Sequence, residues 1–326
     1  MQHQGQIDAA WTGNGYDYSD CFKYVREEIS KADVAIGNLE VTLGGRPYTG
    51  YPAFSAPDEY LDAIKDAGFD VLLTANNHCL DRGKVGLERT ILLLDSLRIP
   101  HLGTYRDKVE RSNTYPLSIE KNGFHIVLLN YTYGTNGIQE NAPNIVNYIN
   151  KEVMEEDIRL ARKQHPDVII ACIHWGIEYQ SLPNEEQKEL ADWLLSQGVT
   201  HVIGGHPHVL QPMELRQKRS SLDRHVVVYS LGNYISNMSA RRTDGGAMLK
   251  LELTKQNNIV RLTDCGYSLV WTSRPALNGK KRYMLYPAAG LKPALTLPEQ
   301  EHLNLFIDDS RQLLDKYNIG IEEYIY

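Results

Sequence analysis

Residues 200–208 read Thr200-His-Val-Ile-Gly-Gly-His206-Pro-His208. A short β-branched run stops at two glycines and then presents two imidazoles one residue apart. The apolar part has the character of a strand buried on both faces. The glycines let the backbone approach a neighbour closely, and Pro207 stiffens the unit. In α/β sheets, loops converge on a crevice at the C-terminal ends of the strands. Whether this histidine pair is a site therefore depends on what ends the other strands.

Working outward, the same grammar recurs. Asp167–Trp175 is a buried run carrying His174 near its end, and Phe69–Asn76 runs into Asn77 and His78. Asp33–Glu40 ends in Asn38 and Glu40, which as positions i and i+2 of a strand point the same way. Phe124–Thr132 is a further strand of this kind, and Val226–Tyr229 leads to Asn233. Between the strands lie amphipathic helical patterns at Pro57–Ala67, Gly86–Leu97, Lys151–Gln164 and Asn184–Gln197. Ser55 is placed to cap the first, and Gly68 and Gly198 stand where C-terminal caps belong. An earlier segment, Tyr18–Ser30, also has helical spacing.

After His208 the texture changes. Ala247–Thr254, Ile259–Leu262 and Gly266–Thr272 read as strands with no helix between them, and Asn257-Asn258 is a turn signal. A final helix is expected from about Glu299 to Tyr317. An alternating β-α block followed by an antiparallel block predicts a layered sheet structure with helices outside. One domain over residues 1–326 is expected, with 238–326 completing it. No internal repeat or low-complexity stretch is present.

Composition narrows the function classes. With 34 Lys+Arg against 41 Asp+Glu the net charge is -7, which argues against nucleic-acid binding through a general positive field. The one basic cluster, Arg241-Arg242, is short. The four cysteines are scattered, with no Cys-x-x-Cys pair. No apolar run is long enough for a membrane span and no signal peptide is visible. There is no Gly-x-Ser-x-Gly elbow and no Walker-type phosphate loop.

Glu40, Asn77, His174, His206 and His208 offer mixed oxygen and nitrogen ligation from converging strand ends. That mixture suits divalent ions such as manganese, iron or zinc. Any one of these residues alone reads as a turn former or a packed histidine; the argument lies in the set.

Five ordered motifs carry a family resemblance: Gly37-Asn-Leu-Glu40, Thr74-Ala-Asn-Asn-His78, His174-Trp-Gly176, Gly205-His-Pro-His208 and Tyr229-Ser-Leu-Gly-Asn233. From about Gln6 to Asn237 the chain resembles bacterial poly-γ-glutamate capsule biosynthesis proteins of the CapA/PgsA type, and through them calcineurin-like metallophosphoesterases. The resemblance implies a four-layer α/β/β/α sandwich and two divalent metals. It places Glu40 as the carboxylate bridging them, Asn77 as an amide ligand, His174 and His206 on one metal and His208 on the other. A bridging hydroxide would be the nucleophile and His78 the general acid. Asn38, Asp81, Arg82 and Asn233 are weaker candidates for substrate contact or ligand support, and Asp81 with Arg82 could equally form a surface ion pair. Tyr48, Tyr51, Tyr131, Tyr133 and Tyr179 fall near the motif loops, as groove lining or as packing groups. The implied partners are an acidic surface polymer and capsule-synthesis membrane proteins, with an extracytoplasmic location at the cell envelope.

The sequence departs from the pattern at one point. The phosphoesterase fold begins with a strand ending in Gly-Asp, whose Asp is a ligand, and no such strand precedes Tyr18. The expectation is a chain that starts just after that Asp, a fold without its first strand, a weaker second metal and low phosphatase activity. His3 and Asp8 are the nearest substitutes in sequence. A non-catalytic envelope protein that keeps the fold and supports polymer assembly or export is the competing reading.

Overall fold

The computed structural model describes residues 1–217, 223–289 and 295–326. A six-stranded sheet has the order Met213–Gln217, Arg224–Val228, His201–Gly205, Val168–His174, Phe124–Thr132, Leu117–Lys121. Its four inner strands are parallel and its two edges antiparallel. Every residue of Val168–His174 is buried, as expected of a central parallel strand covered on both faces. Helices Lys151–Lys163 and Glu185–Ser196 cover one face with Met154, Ile158, Ala161, Leu190, Ala191 and Leu194.

The other face meets two smaller sheets. One is parallel and three-stranded: Ile36–Asn38, Val71–Leu73 and His101–Leu102. Its Val71, Leu73 and Leu102 join the cluster of the six-stranded sheet. Leu72, pointing the opposite way, joins Leu61 and Ile64 of helix Glu59–Asp66 and Leu94 of helix Gly83–Ser96. The second small sheet is the antiparallel set Gly245–Gln256, Ile259–Ser273 and Met284–Pro287. Val226 and Val228 cluster with its Leu269 and Trp271 and with Leu303, Phe306 and Leu314 of helix Leu297–Tyr317, while Val227 faces the opposite cluster. Helix, sheet, sheet and helix are thus stacked in that order, the layering the sequence resemblance implied.

Several boundaries differ from expectation. Ile259–Leu262 and Gly266–Thr272 are one 15-residue strand, Ile259–Ser273. A register shift between Glu252 and Leu253 on its partner absorbs the polar Thr263-Asp264-Cys265 stretch, which had the look of a break. Asn257 and Asn258 make the turn, both at positive φ (52° and 62°). Tyr18–Ser30 is helical only over Arg26–Lys31. Its buried Tyr18, Cys21, Phe22 and Val25 have helical spacing, but Cys21 N–H and Val25 N–H bond three residues back, to Tyr18 and Phe22, so the segment winds as tight turns. Ser55 is not a helix cap: its hydroxyl donates to the Gly45 carbonyl, and the helix starts after Asp58. Gly68 and Gly198 do terminate helices, at φ 101° and 99°.

Candidate metal centre

Strand register builds the centre. In the parallel ladder Thr132 pairs with His174 and His174 with Gly205, so His206 and Tyr133 emerge beside His174 one residue beyond their strands. The His174 and His206 ring centroids are 4.8 Å apart, and the Tyr133 ring lies 4.5 Å from that of His206. The Gly-Gly step has an unequal role. A Cβ on Gly204 would sit 2.2 Å from the Tyr229 carbonyl oxygen and 2.3 Å from Trp175 Nε1, whereas one on Gly205 would meet open space. Close approach is thus required at Gly204 alone.

The three-stranded sheet supplies the oxygens. Glu40 Oε1 lies 3.7 Å from His174 Nε2, and Asn77 Oδ1 lies 2.9 Å from the same nitrogen. Asn38 steadies the carboxylate: its Nδ2 donates to Glu40 Oε2 (3.3 Å), and its Oδ1 accepts from Asn76 Nδ2 (3.2 Å). Glu40, His174 and His206 each offer a ligand atom within 4.8 Å of the others.

His208 points its Nδ1 at Asn233 Oδ1 (3.1 Å), which leaves Nε2 as its other ligand atom. Asn233 is held by its own Nδ2, which donates to the Thr243 carbonyl at 2.8 Å. His78 Nδ1 lies 2.8 Å from Asp81 Oδ2, and that oxygen also accepts Phe54 N–H at 2.8 Å. Asp81 therefore belongs to His78 and forms no pair with Arg82, whose guanidinium turns to the Pro47 carbonyl.

Of the two substitutes suggested by sequence, His3 borders the centre, its ring 5.2 Å from Phe54, which in turn lies 4.6 Å from His78. Asp8 is exposed and accepts from Gln4. The tyrosines divide. Tyr131 is wholly buried, its hydroxyl donating to Asp157, while Tyr51, Tyr133 and Tyr179 are 74%, 47% and 54% exposed. Arg241 and Arg242 are bound to Asp309 of the last helix. Sequence reasoning missed Glu178, which forms a second cluster with His206 and His208, again with ligand atoms within 4.8 Å. Glu178 lies on the turn after His174, where no strand or helix periodicity marks it.

The donor set fits a divalent ion. Buried polar atoms are normally paired, yet Glu40 Oε1 and His206 Nδ1 are buried with no hydrogen-bond partner. Burial, and then the neighbouring His208, pushes His206 down to about 3; burial, and then His206, holds His174 well below the usual histidine range. Both rings are thus neutral near pH 7, with lone pairs available to a metal.

A layered α/β protein with a carboxylate, an amide and three histidines at converging strand ends has the donor set of a divalent-metal centre. Residues 1–238 match the bacterial capsule synthesis proteins termed PGA_cap, and the chain is a member of that family. It is 27% identical over 253 residues to the capsule biosynthesis protein CapA of Bacillus anthracis, covering 74% of this chain and 59% of that protein. To the PGA biosynthesis protein CapA of Bacillus subtilis strain 168 it is 29% identical over 248 residues, covering 72% and 61%. The chain thus spans about three-fifths of the length of these curated relatives. The solved structure of Haemophilus influenzae NAD nucleotidase (NadN) has a similar fold, with TM-score 0.50, 14% identity, and coverage of 88% of this chain and 56% of that one. Among the described residues no helix is long and apolar enough to cross a membrane.

Proposed function

We propose that this chain works in the assembly of a surface capsule polymer and does so through a two-metal centre of the phosphoesterase type. The observation that carries the reading is the convergence of Glu40, His174 and His206, with two of their ligand atoms buried and unpaired. Glu40, Asn77, His174 and His206 would hold one ion and His208 contributes to the other. Divalent ions there would polarise a phosphoryl group and activate a water molecule.

The chain's own groups do the rest. Asp81 orients His78 through Nδ1, so that Nε2 is the atom able to give a proton to a leaving oxygen. Asn38 and Asn233 fix the Glu40 carboxylate and the His208 ring. Tyr51, Tyr133 and Tyr179 give the mouth an apolar, hydroxyl-tipped rim. The substrate class is a phosphoester or related bond within an acidic polymer or its precursor. The place of work is the cell envelope, alongside membrane-bound capsule proteins.

The test is hydrolysis of an aryl phosphate by manganese-loaded protein. Removing a general acid costs on the order of 10²–10⁴-fold; His78→Ala should lose that much with its metal content intact, and Glu40→Gln should lose metal as well. Metal-loaded protein that turns over nothing would favour the competing reading, a non-catalytic scaffold for polymer assembly or export.

A further inference from the structure

Glu178 lies outside the ligand set that the family resemblance supplies. It is brought to the histidine pair by the backbone. After His174 the chain turns at Gly176 (φ 84°), where a Cβ would lie 2.8 Å from the Gln187 carboxamide. Tyr179 N–H then donates to the Pro207 carbonyl at 2.8 Å, which staples residues 176–179 to the His206-Pro-His208 segment. Glu178 is held between these two fixed points. The field of its carboxylate reaches the phenols of Tyr133 and Tyr179, so the group faces the same mouth as Glu40. Its ligand oxygen and a ring nitrogen each of His206 and His208 fall within 4.8 Å of one another.

The histidines are ready for it. His206 is 6% exposed and His208 5%, and His206 Nδ1 has no hydrogen-bond partner. A neutral imidazole carries one lone pair, so His206 can serve one ion at a time. Glu40, Asn77 and His174 already bring two oxygens and a nitrogen to the first position. His208 by contrast needs an anionic partner, because a neutral ring alone offers a divalent cation no compensating charge.

Building on the two-metal reading above, we infer that Glu178 is the carboxylate ligand of the second ion, so that Glu178 and His208 form a metal position distinct from the one held by Glu40, Asn77, His174 and His206. The bound species is a divalent cation that accepts mixed oxygen and nitrogen ligation, manganese or zinc, on a carboxylate oxygen and an imidazole nitrogen.

The experiment is titration of metal-stripped protein with Mn²⁺ and Zn²⁺, read as ions per chain by native mass spectrometry and by Mn²⁺ spin-resonance intensity. Wild type should hold two ions. Glu178→Gln, on a surface turn, should hold one, with the second affinity weakened at least 10-fold, and Glu178→Asp should recover part of it. His174→Ala should instead lose the first ion and keep the Glu178-dependent one. Two tight ions in Glu178→Gln overturn the inference. One ion in wild type that is indifferent to Glu178→Gln but lost in His174→Ala also overturns it, while leaving the metal centre intact. No ion in wild type overturns both.

Discussion

Asp81 offers the sharpest test of how the centre is braced. Its side chain is 2% exposed, and a single oxygen, Oδ2, accepts from Phe54 N–H and from His78 Nδ1, both at 2.8 Å. Asp81→Ala removes the one acceptor that serves both groups. A buried amide left unpaired costs about 1–3 kcal/mol, and a hydrogen bond to a charged group contributes about 1.5–3 kcal/mol. The loss should therefore be about 3–5 kcal/mol. At roughly 2 °C per kcal/mol for a chain of this size, Tm should fall by about 6–10 °C. Asp81→Asn keeps an acceptor for Phe54 and should cost only about 1 kcal/mol, or roughly 2 °C. Calorimetry on the two variants, with metal content measured in parallel, separates the terms. Metal content should not change, because Asp81 belongs to neither ligand cluster. If Asp81→Ala melts within about 2 °C of wild type, or if Asn is as damaging as Ala, the bracing argument fails.

Three further outcomes are expected. Asp157, 2% exposed at its side chain, accepts from Arg111 at 2.6 Å and from the Tyr131 hydroxyl at 2.9 Å; Asp157→Ala strands a largely buried guanidinium and should cost about 3–5 kcal/mol in denaturant unfolding. His201, held by burial down to about 3, accepts Val226 N–H on Nδ1. The unfolded chain therefore binds a proton that the folded chain refuses as pH drops below 6.5. Stability should fall by about 2–3 kcal/mol between that value and about pH 4.5, and His201→Gln should flatten this part of the profile in urea titrations at stepped pH. Gly204→Ala should destabilise by about 2–4 kcal/mol, since its Cβ meets the Tyr229 carbonyl and Trp175 Nε1 at once, whereas Gly205→Ala should stay within about 1 kcal/mol.

The sequence revealed what burial and chirality dictate strongly. Phe124–Thr132 is both expected and observed to the residue, because Phe124, Ile126, Val127, Tyr131 and Thr132 favour a strand and the leucines between them extend the apolar run. His174 and the His206–His208 pair were legible for the same reason: polar residues that end an apolar run can only lie at a strand terminus. Edge elements were not legible. Leu117–Lys121 and Met213–Gln217 carry mixed polarity, since one side of each faces solvent, and their pairing is set by the neighbour strand. Glu178 was hidden by its setting on a turn, where the only available signal was an acidic residue four positions after a strand-end histidine. His3 and Asp8 drew attention because they are near in sequence to the expected Gly-Asp position, whereas the acidic side chain that the fold sets beside His206 and His208 is Glu178.

The central claim is that these strand ends form a metal centre. The most direct measurement is an anomalous difference map from crystals grown with Mn²⁺. A peak should lie between Glu40, Asn77, His174 and His206, with the Asn77–His174 hydrogen bond replaced by bonds to the ion. Crystals with manganese bound elsewhere, or with that hydrogen bond intact and no peak beside Glu40, would contradict it.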